Sequence, residues 1–483
     1  MKPTLFANGL IINEGFRFIG SVVIDGLMFS RVDYGRIDLR EVDREVYDVV
    51  DCEGKMVIPG VIDEHVHFRD PGMTEKGDLA TESRAAIAGG VTSFFDMPNT
   101  RPATTTIEAW EEKMQRAAAV SAANYAFFMG VANNNIDQLL AADPTRVPGA
   151  KLFLGSSTGN MLVDNDSVIA SLFRSYHGVI ACHAESEQII AANRAALAAR
   201  YPEGIPLGLH STLRSREACV TATGHAVELA RRTNARLHVM HVTTADELSF
   251  FSGRQVMEKR ITAETCPHYL VFDESSVEAT GGLTKCNPAI KTDNDRKALL
   301  NAVRDGRIDI IATDHAPHLL SQKTGDALTA ASGMPSVQFA LPVMLQLARR
   351  GHFTYETVVE KMCCNPARLY NIDRRGFIRP DYCADLVIIN PDCNYRIDPS
   401  DIISSCGWTP YKDFPMTFRV EQTWVNGRPA YINRALTGAN PFPSAATPLS
   451  STLPCAPASP EETPTSPFTG LQTALPVRFS PLA

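Results

Sequence analysis

Between about residues 53 and 374 a short apolar run gives way to an amphipathic stretch again and again, and this repetition limits the fold more than any other feature of the chain. The runs are "VIPGVIDEHVH", "VTSFFDMP", "NYAFFMGV", "GAKLFL", "GVIACHAE", "RLHVMHV", "RITAETCPHYL" and "DIIATDHAPH". Continuous apolar runs of this length read as strands buried on both faces. Segments such as "TIEAWEEKMQRAAAVSA" and "EACVTATGHAVELARRTN" carry apolar residues at helical spacing and separate the runs. Eight strands with intervening helices predict an α/β chain folded as a TIM (β/α)8 barrel rather than an open doubly wound sheet, and no GxGxxG turn marks a dinucleotide site.

The two flanks have a different texture. Residues 1 to 52 hold the β-type segments "TLFANGLIIN", "FIGSVVIDG", "LMFSRV" and "EVYDVVDCEG" between turn signals, and the same texture returns in "ADLVIINPD", "FRVEQTWVNGRP" and "AYIN". We therefore expect residues 1–52 and 375–438 to form one small β-sandwich domain from both ends, with 53–374 as the barrel. From 439 onward the composition shifts again. Ten of the 31 prolines fall there among serine, threonine and alanine, so 439–483 is expected to be a disordered tail without a catalytic role.

Composition excludes several classes of function. A formal charge of -8 and the lack of a lysine and arginine stripe argue against nucleic acid as a partner. No segment approaches the roughly 18 apolar residues of a membrane span, and the N-terminus lacks the apolar core and cleavage site of a leader. Eleven cysteines occur without a CxxC pair, which fits neither a disulfide framework nor a sulfur zinc site and suits a reducing cytoplasm. Partners are expected to be small molecules or other subunits.

In a barrel of this kind the side chains that do chemistry stand at the C-terminal ends of the strands. The first run ends in His65 and His67, whose i, i+2 spacing puts both rings on one face. Lys151 stands in the fourth run, His183 ends the fifth, His241 the sixth, and Asp314 the eighth, with His315 and His318 just beyond. A lone strand-end histidine is more often a hydrogen-bonded, half-buried residue than a ligand. Six metal-competent or convertible groups at matching strand ends point instead to a metal site. Lys151 is the odd member, because a buried ammonium costs several kcal/mol unless it is paired or neutralised. His238, three residues before His241, is expected on the opposite face, packed under a helix. His268 in "CPHYL" could support the site, and Cys182 and Cys266 read as small apolar fillers.

With these residues placed, "DEHVHFRDPG", "DMPNT", "KLFLG", "CHAE", "MHVTTADE", "KCNPAIK" and "ATDHAPH", followed by "VNG" near residue 427, give the chain a clear resemblance to the amidohydrolase superfamily and, within it, to the dihydroorotases. The resemblance runs over nearly all of residues 1 to 435. It implies the metal-dependent hydrolase type of barrel and a reversible hydrolysis of (S)-dihydroorotate to N-carbamoyl-L-aspartate in pyrimidine (UMP) biosynthesis. It implies two zinc ions bridged by a carboxylated Lys151 and a hydroxide, with His65 and His67 on one ion, His183 and His241 on the other, and Asp314 completing the set. Asp314 becomes the general acid and base. Arg69, Asn99 and His318 match positions that share the substrate carboxylate, and Asn287 one that contacts the ring. A homodimer is common among such relatives.

Two departures bear on the substrate. "CPHYL" stands where many dihydroorotases have a double histidine, and "NPAIK" where many have "NPPLR"; the first wording recurs in allantoinase-like relatives. A hydantoinase or allantoinase is therefore the alternative enzyme, and a noncatalytic barrel serving as a structural partner is the alternative of another class. The segment 319–335, "LLSQKTGDALTAASGMP", has the glycine and small polar residues of a mobile loop beside the site.

Overall fold

The computed structural model describes residues 2–155, 161–163, 165–437 and 474–481. Eight parallel strands form the barrel: β1 (Val61–Val66), β2 (Val91–Asp96), β3 (Asn124–Phe127), β4 (Gly149–Phe153), β5 (Val179–His183), β6 (Arg236–Val239), β7 (Ile261–Thr265) and β8 (Ile310–Ile311). The chain leaves β3 into Met129–Gly130, which pairs with Ala150 and Lys151 of β4. A bridge between Val66 and His315 joins the eighth strand to the first. The sheet is thereby closed, and both of its faces are buried, as the uninterrupted apolar runs require.

The helices between the strands follow the spacing in the sequence. Helix α1 (Ile107–Val120) buries Trp110, Met114 and Ala117 at i, i+4 and i+7, and the Thr106 side chain caps it by accepting from the Ala109 N–H. Such a cap is worth about 1 kcal/mol. Helix α2 (Arg216–Thr233) is capped by Ser215, buries Ala218, Ala222, Ala226 and Ala230, and ends at Asn234 in the left-handed region with φ 57°.

Both flanks enter a single nine-stranded sheet. Leu386–Asn390 and Arg419–Val425 from the C-terminal flank pair with each other, and Leu386–Asn390 also pairs with Met56–Pro59, which in turn lies beside Thr4–Asn13. Phe6 and Trp424 stand three strands apart in this order, yet their rings meet edge-on at 4.9 Å. A flat sheet would hold them about 14 Å apart at roughly 4.8 Å per strand. The sheet therefore curls over its own core of Phe6, Val22, Ile24, Phe29, Leu386 and Trp424 into the small β-sandwich.

Three expectations need correction. The run "VIPGVIDEHVH" is not one barrel strand, since Met56–Pro59 belongs to the flanking sheet and the barrel begins at Val61. The break falls at Gly60, where a Cβ would lie 2.0 Å from Thr92 Oγ1. The end of the proline-rich tail also packs, although most of residues 439–483 lies outside the described residues. Ala474, Val477 and Phe479 are buried, the Val477 N–H donates to the Tyr125 carbonyl at 2.8 Å, and the Phe479 ring meets Phe95 edge-on at 5.6 Å. Composition averaged over the tail hid a short apolar terminus, "ALPVRF". Finally, among the described residues nine cysteines are free thiols but Cys383 is disulfide-bonded, which a wholly reducing reading of the cysteines does not anticipate. Among the described residues no helix is long and apolar enough to cross a membrane.

Candidate active site

At the C-terminal mouth of the barrel lies an open cavity of about 440 Å³, lined by His65, His67, Lys151, His183, His241 and Asp314 together with Arg69, Asn99, Asn287 and His318. The structure thus brings every proposed site residue to one place. The volume is ordinary for a small-molecule site.

The histidines sort into two groups. His65 and His67 project from β1 and the turn after it, and their Nε2 atoms lie 3.3 and 3.1 Å from the same Asp314 oxygen. Glu264 holds the other side of the His65 ring at 3.0 Å from Nδ1, and the Asn99 carbonyl oxygen holds Nδ1 of His67 at 2.8 Å. In the second group, His183 Nδ1 and His241 Nε2 are 2.9 Å apart. The back of His183 is held through Nε2 by Glu185 at 3.0 Å, and Arg214 donates to Glu185 at 3.0 and 2.7 Å. Orienting contacts of this kind aim imidazole nitrogens at a common point.

Burial sets the charges. It holds His65 and His241 well below the usual imidazole range and lowers His183, so these rings are neutral near pH 7 and keep a lone pair for a ligand bond. Burial also works to raise Asp314, but the surrounding imidazoles, His65 first, outweigh it and hold the carboxyl well below its ordinary value. Lys151 is completely buried, and burial lowers its pKa. Its ammonium donates to the Met240 thioether at 2.7 Å, a weak acceptor for so costly a donor. Neutral imidazoles, an ionised carboxylate and a poorly served lysine amine make a donor set that fits divalent metal, and nitrogen and oxygen ligands suit zinc. His65, His67 and Asp314 lie close enough together to hold one ion.

The backbone at this mouth is strained. Arg69, His241 and Asp314 have φ of 67°, 40° and 46°, the left-handed region that costs a non-glycine residue about 1–3 kcal/mol. Arg69 is 4% exposed, donates through Nε to the Pro317 carbonyl at 3.2 Å, and lies 3.2 Å from Nε2 of His318. Asp70 does not neutralise it, because Asp70 is taken by Arg116 at 2.6 Å. Among the described residues no carboxylate comes within 4.0 Å of the Arg69 guanidinium. Burial lowers its pKa to about 10, which still leaves it charged at neutral pH. His318 is driven by burial and by Arg69 to about 2 and is neutral beside it.

Several residues fall elsewhere than expected. His238 does not pack under a helix; it points into the barrel, 2.8 Å from Glu64 and 2.8 Å from Thr262. His315 turns from the cleft to Glu82 at 2.9 Å. His268 is buried against Tyr269 outside the cleft lining. Asn99 lines the cleft but also orients His67, and His210, which sequence reasoning passed over, holds the Asn287 side-chain oxygen at 3.1 Å. Glu264 was missed as well. Its signal is the strand-end rule itself, which applied to "RITAET" points to that carboxylate.

The model of the amidohydrolase family matches residues 56–430. The chain belongs to the amidohydrolase family. It is 35% identical to a dihydroorotase of Halobacterium salinarum over 84% of this chain and 95% of that protein. It is 32% identical to an allantoinase of Streptomyces avermitilis over 78% of this chain and 84% of that one. Among solved structures, L-hydantoinase (dihydropyrimidinase) from Arthrobacter aurescens superposes with a TM-score of 0.85 at 25% identity, covering 90% of this chain and 98% of its own. That coverage exceeds the barrel, so the likeness takes in the flanking sheet. In an amidohydrolase barrel the strand-end cleft is where the hydrolytic chemistry is built.

Proposed function

We propose that this amidohydrolase is a zinc-dependent dihydroorotase. The observation that carries the reading is Arg69, a buried guanidinium without a carboxylate partner at the edge of the histidine and aspartate cleft. Dihydroorotate is a cyclic amide that bears a carboxylate, and a guanidinium binds such a group through two parallel hydrogen bonds. Hydantoin and allantoin carry none, so a hydantoinase or allantoinase would leave this cation unmatched. That second reading is kept because relatives with those names share the fold and 25–32% of the sequence.

The residues divide the work as follows. His65, His67, Lys151, His183, His241 and Asp314 would hold two zinc ions, Lys151 as a carbamate. When bound, such ions polarise a carbonyl and make water a stronger nucleophile. Arg69, with neutral His318 beside it, holds the substrate carboxylate and so fixes the ring, while Asn287, oriented by His210, meets the ring edge. Water adds to the ring amide carbonyl, the C–N bond opens, and the proton lost by the water passes through the Asp314 carboxylate to the leaving nitrogen. The products are a carboxylate and a ureido nitrogen on one open chain, N-carbamoyl-L-aspartate.

The experiment is hydrolysis of dihydroorotate, hydantoin and allantoin by the purified protein, with zinc and again after chelation. Metal-dependent turnover of dihydroorotate is the expected outcome. Preference for either of the other rings would overturn the substrate assignment and leave the cyclic amidohydrolase standing.

A further inference from the structure

The stretch 319–335 has the composition of a mobile loop, yet Leu328–Gly333 forms one wall of the cleft and is held with unusual completeness. The backbone carbonyls of four consecutive residues each meet a side-chain nitrogen. Ala330 accepts from the Lys285 ammonium, Ala331 and Gly333 accept from Lys323 Nζ at 2.7 Å each, and the Ser332 carbonyl lies 3.1 Å from Nε2 of His318. Lys323 makes a third bond, at 3.0 Å, to the carbonyl of Lys285, two residues before Asn287.

We propose that Lys323 is a positioning residue: its three N–H donors tie the 330–333 wall to the segment carrying Asn287 and so set the width of the substrate cleft. The proposal rests on reading this cleft as the site of the cyclic amide. Lys323 is 3% exposed, and among the described residues no carboxylate pairs with it. An unbranched apolar side chain would fill the same space without a charge to desolvate, so packing alone does not call for an ammonium. The carbonyls do, because three acceptors from two separate stretches of chain, Lys285 on one and Ala331 and Gly333 on the other, converge on one tetrahedral donor. Burial is the largest influence on this lysine and lowers it to about 7, so the ammonium with all three donors is the dominant form below neutral pH.

Two further contacts carry the effect to the carboxylate end of the cleft. His318 stands between the Ser332 carbonyl and Arg69, and the Trp408 indole, 5.7 Å beneath the Lys323 ammonium, donates to the His318 carbonyl at 2.7 Å. The wall has little room to settle elsewhere, since Gly333 has φ 138° and a Cβ there would lie 2.7 Å from the Ala316 carbonyl. Loss of Lys323 is therefore expected to loosen ground-state binding while leaving the metal-binding histidines in place.

The test compares wild type with Lys323→Met, Lys323→Gln and Lys323→Arg as full-length, zinc-loaded protein. Steady-state kinetics with dihydroorotate, metal content, and amide hydrogen exchange over residues 325–334 without substrate are the readouts. For Lys323→Met we expect KM to rise at least about tenfold, kcat to change less than about threefold, metal content to hold, and the wall amides to exchange at least about tenfold faster. Gln, with two donors, should fall between, and it decides the matter if the Met variant does not fold. Arg should not rescue, because its planar fork spreads donors that must converge. Unchanged exchange with KM within about twofold overturns the proposal, as does a loss of kcat and metal in parallel. If wild type does not hydrolyse dihydroorotate, the substrate reading falls by itself while the exchange comparison still decides whether Lys323 orders the wall.

Discussion

Among the described residues, two sets of histidine and carboxylate lie close enough together to hold an ion, and one of them borders the cleft. His65, His67 and Asp314 stand at the open mouth, whereas Glu64, His238 and Glu264 are sealed in the interior. Both combine imidazole and carboxylate groups within one ion's reach. What differs is how far each group is already satisfied. In the sealed cluster His238 has Glu64 on one nitrogen and Thr262 on the other, and Glu64 also accepts from the Tyr370 hydroxyl. At the mouth, imidazole nitrogens face one another or crowd one carboxylate oxygen, a lysine amine rests on a thioether, and three residues hold a strained backbone. A cluster becomes a site when its valence is unfilled and solvent can reach it.

The contrast can be broken from either side. The largest effect is expected at the mouth, where Asp314→Asn keeps the shape but removes the proposed proton carrier; kcat should fall about a thousandfold, mid-range for a general acid and base, and steady-state assays on zinc-loaded protein measure it. In the sealed cluster His238→Phe should instead cost about 3–5 kcal/mol of stability, because Glu64 loses a buried partner. Denaturant unfolding reads that loss, and the turnover of the molecules that remain folded should stay within a few fold of wild type. A collapse of kcat there would show that the interior cluster takes part in chemistry. The smallest effect is expected farthest from the mouth: ending the chain after residue 478 removes the docked Phe479, with a loss of about 1.5–3 kcal/mol for one buried aromatic side chain and no change in KM.

The sequence carries the barrel and the residues that gather at its mouth because both follow local rules. Buried strands are written as apolar runs, and the cleft-lining residues fall where those runs stop, as at His65, His183 and Asp314. His238 defeats the same reasoning for a definite reason. The two-residue alternation holds only within β6, which ends at Val239; beyond it the chain turns, and His241 sits at φ 40°. The opposite-face rule therefore cannot be carried from one histidine to the other. Glu64 lies on β1, which is not a neighbour of β6, so the bond between them has to cross the barrel interior. Contacts of that kind, like His210 behind Asn287 or Lys323 on the carbonyl of Lys285, join residues tens of positions apart and leave no local pattern. The docked terminus was hidden differently, as a short apolar stretch at the end of a proline-rich composition.

Arg69 is proposed to make this cleft a site for a cyclic amide that bears a carboxylate. Dihydroorotate and dihydrouracil share the ring and differ in that group, so their ratio of kcat/KM in wild type and in Arg69→Met isolates the contact. Wild type should prefer dihydroorotate by about a hundredfold or more, in the range of a lost buried charge-assisted pair, and Arg69→Met should erase most of that preference while retaining its metal. A ratio that is the same in both proteins would contradict the assignment.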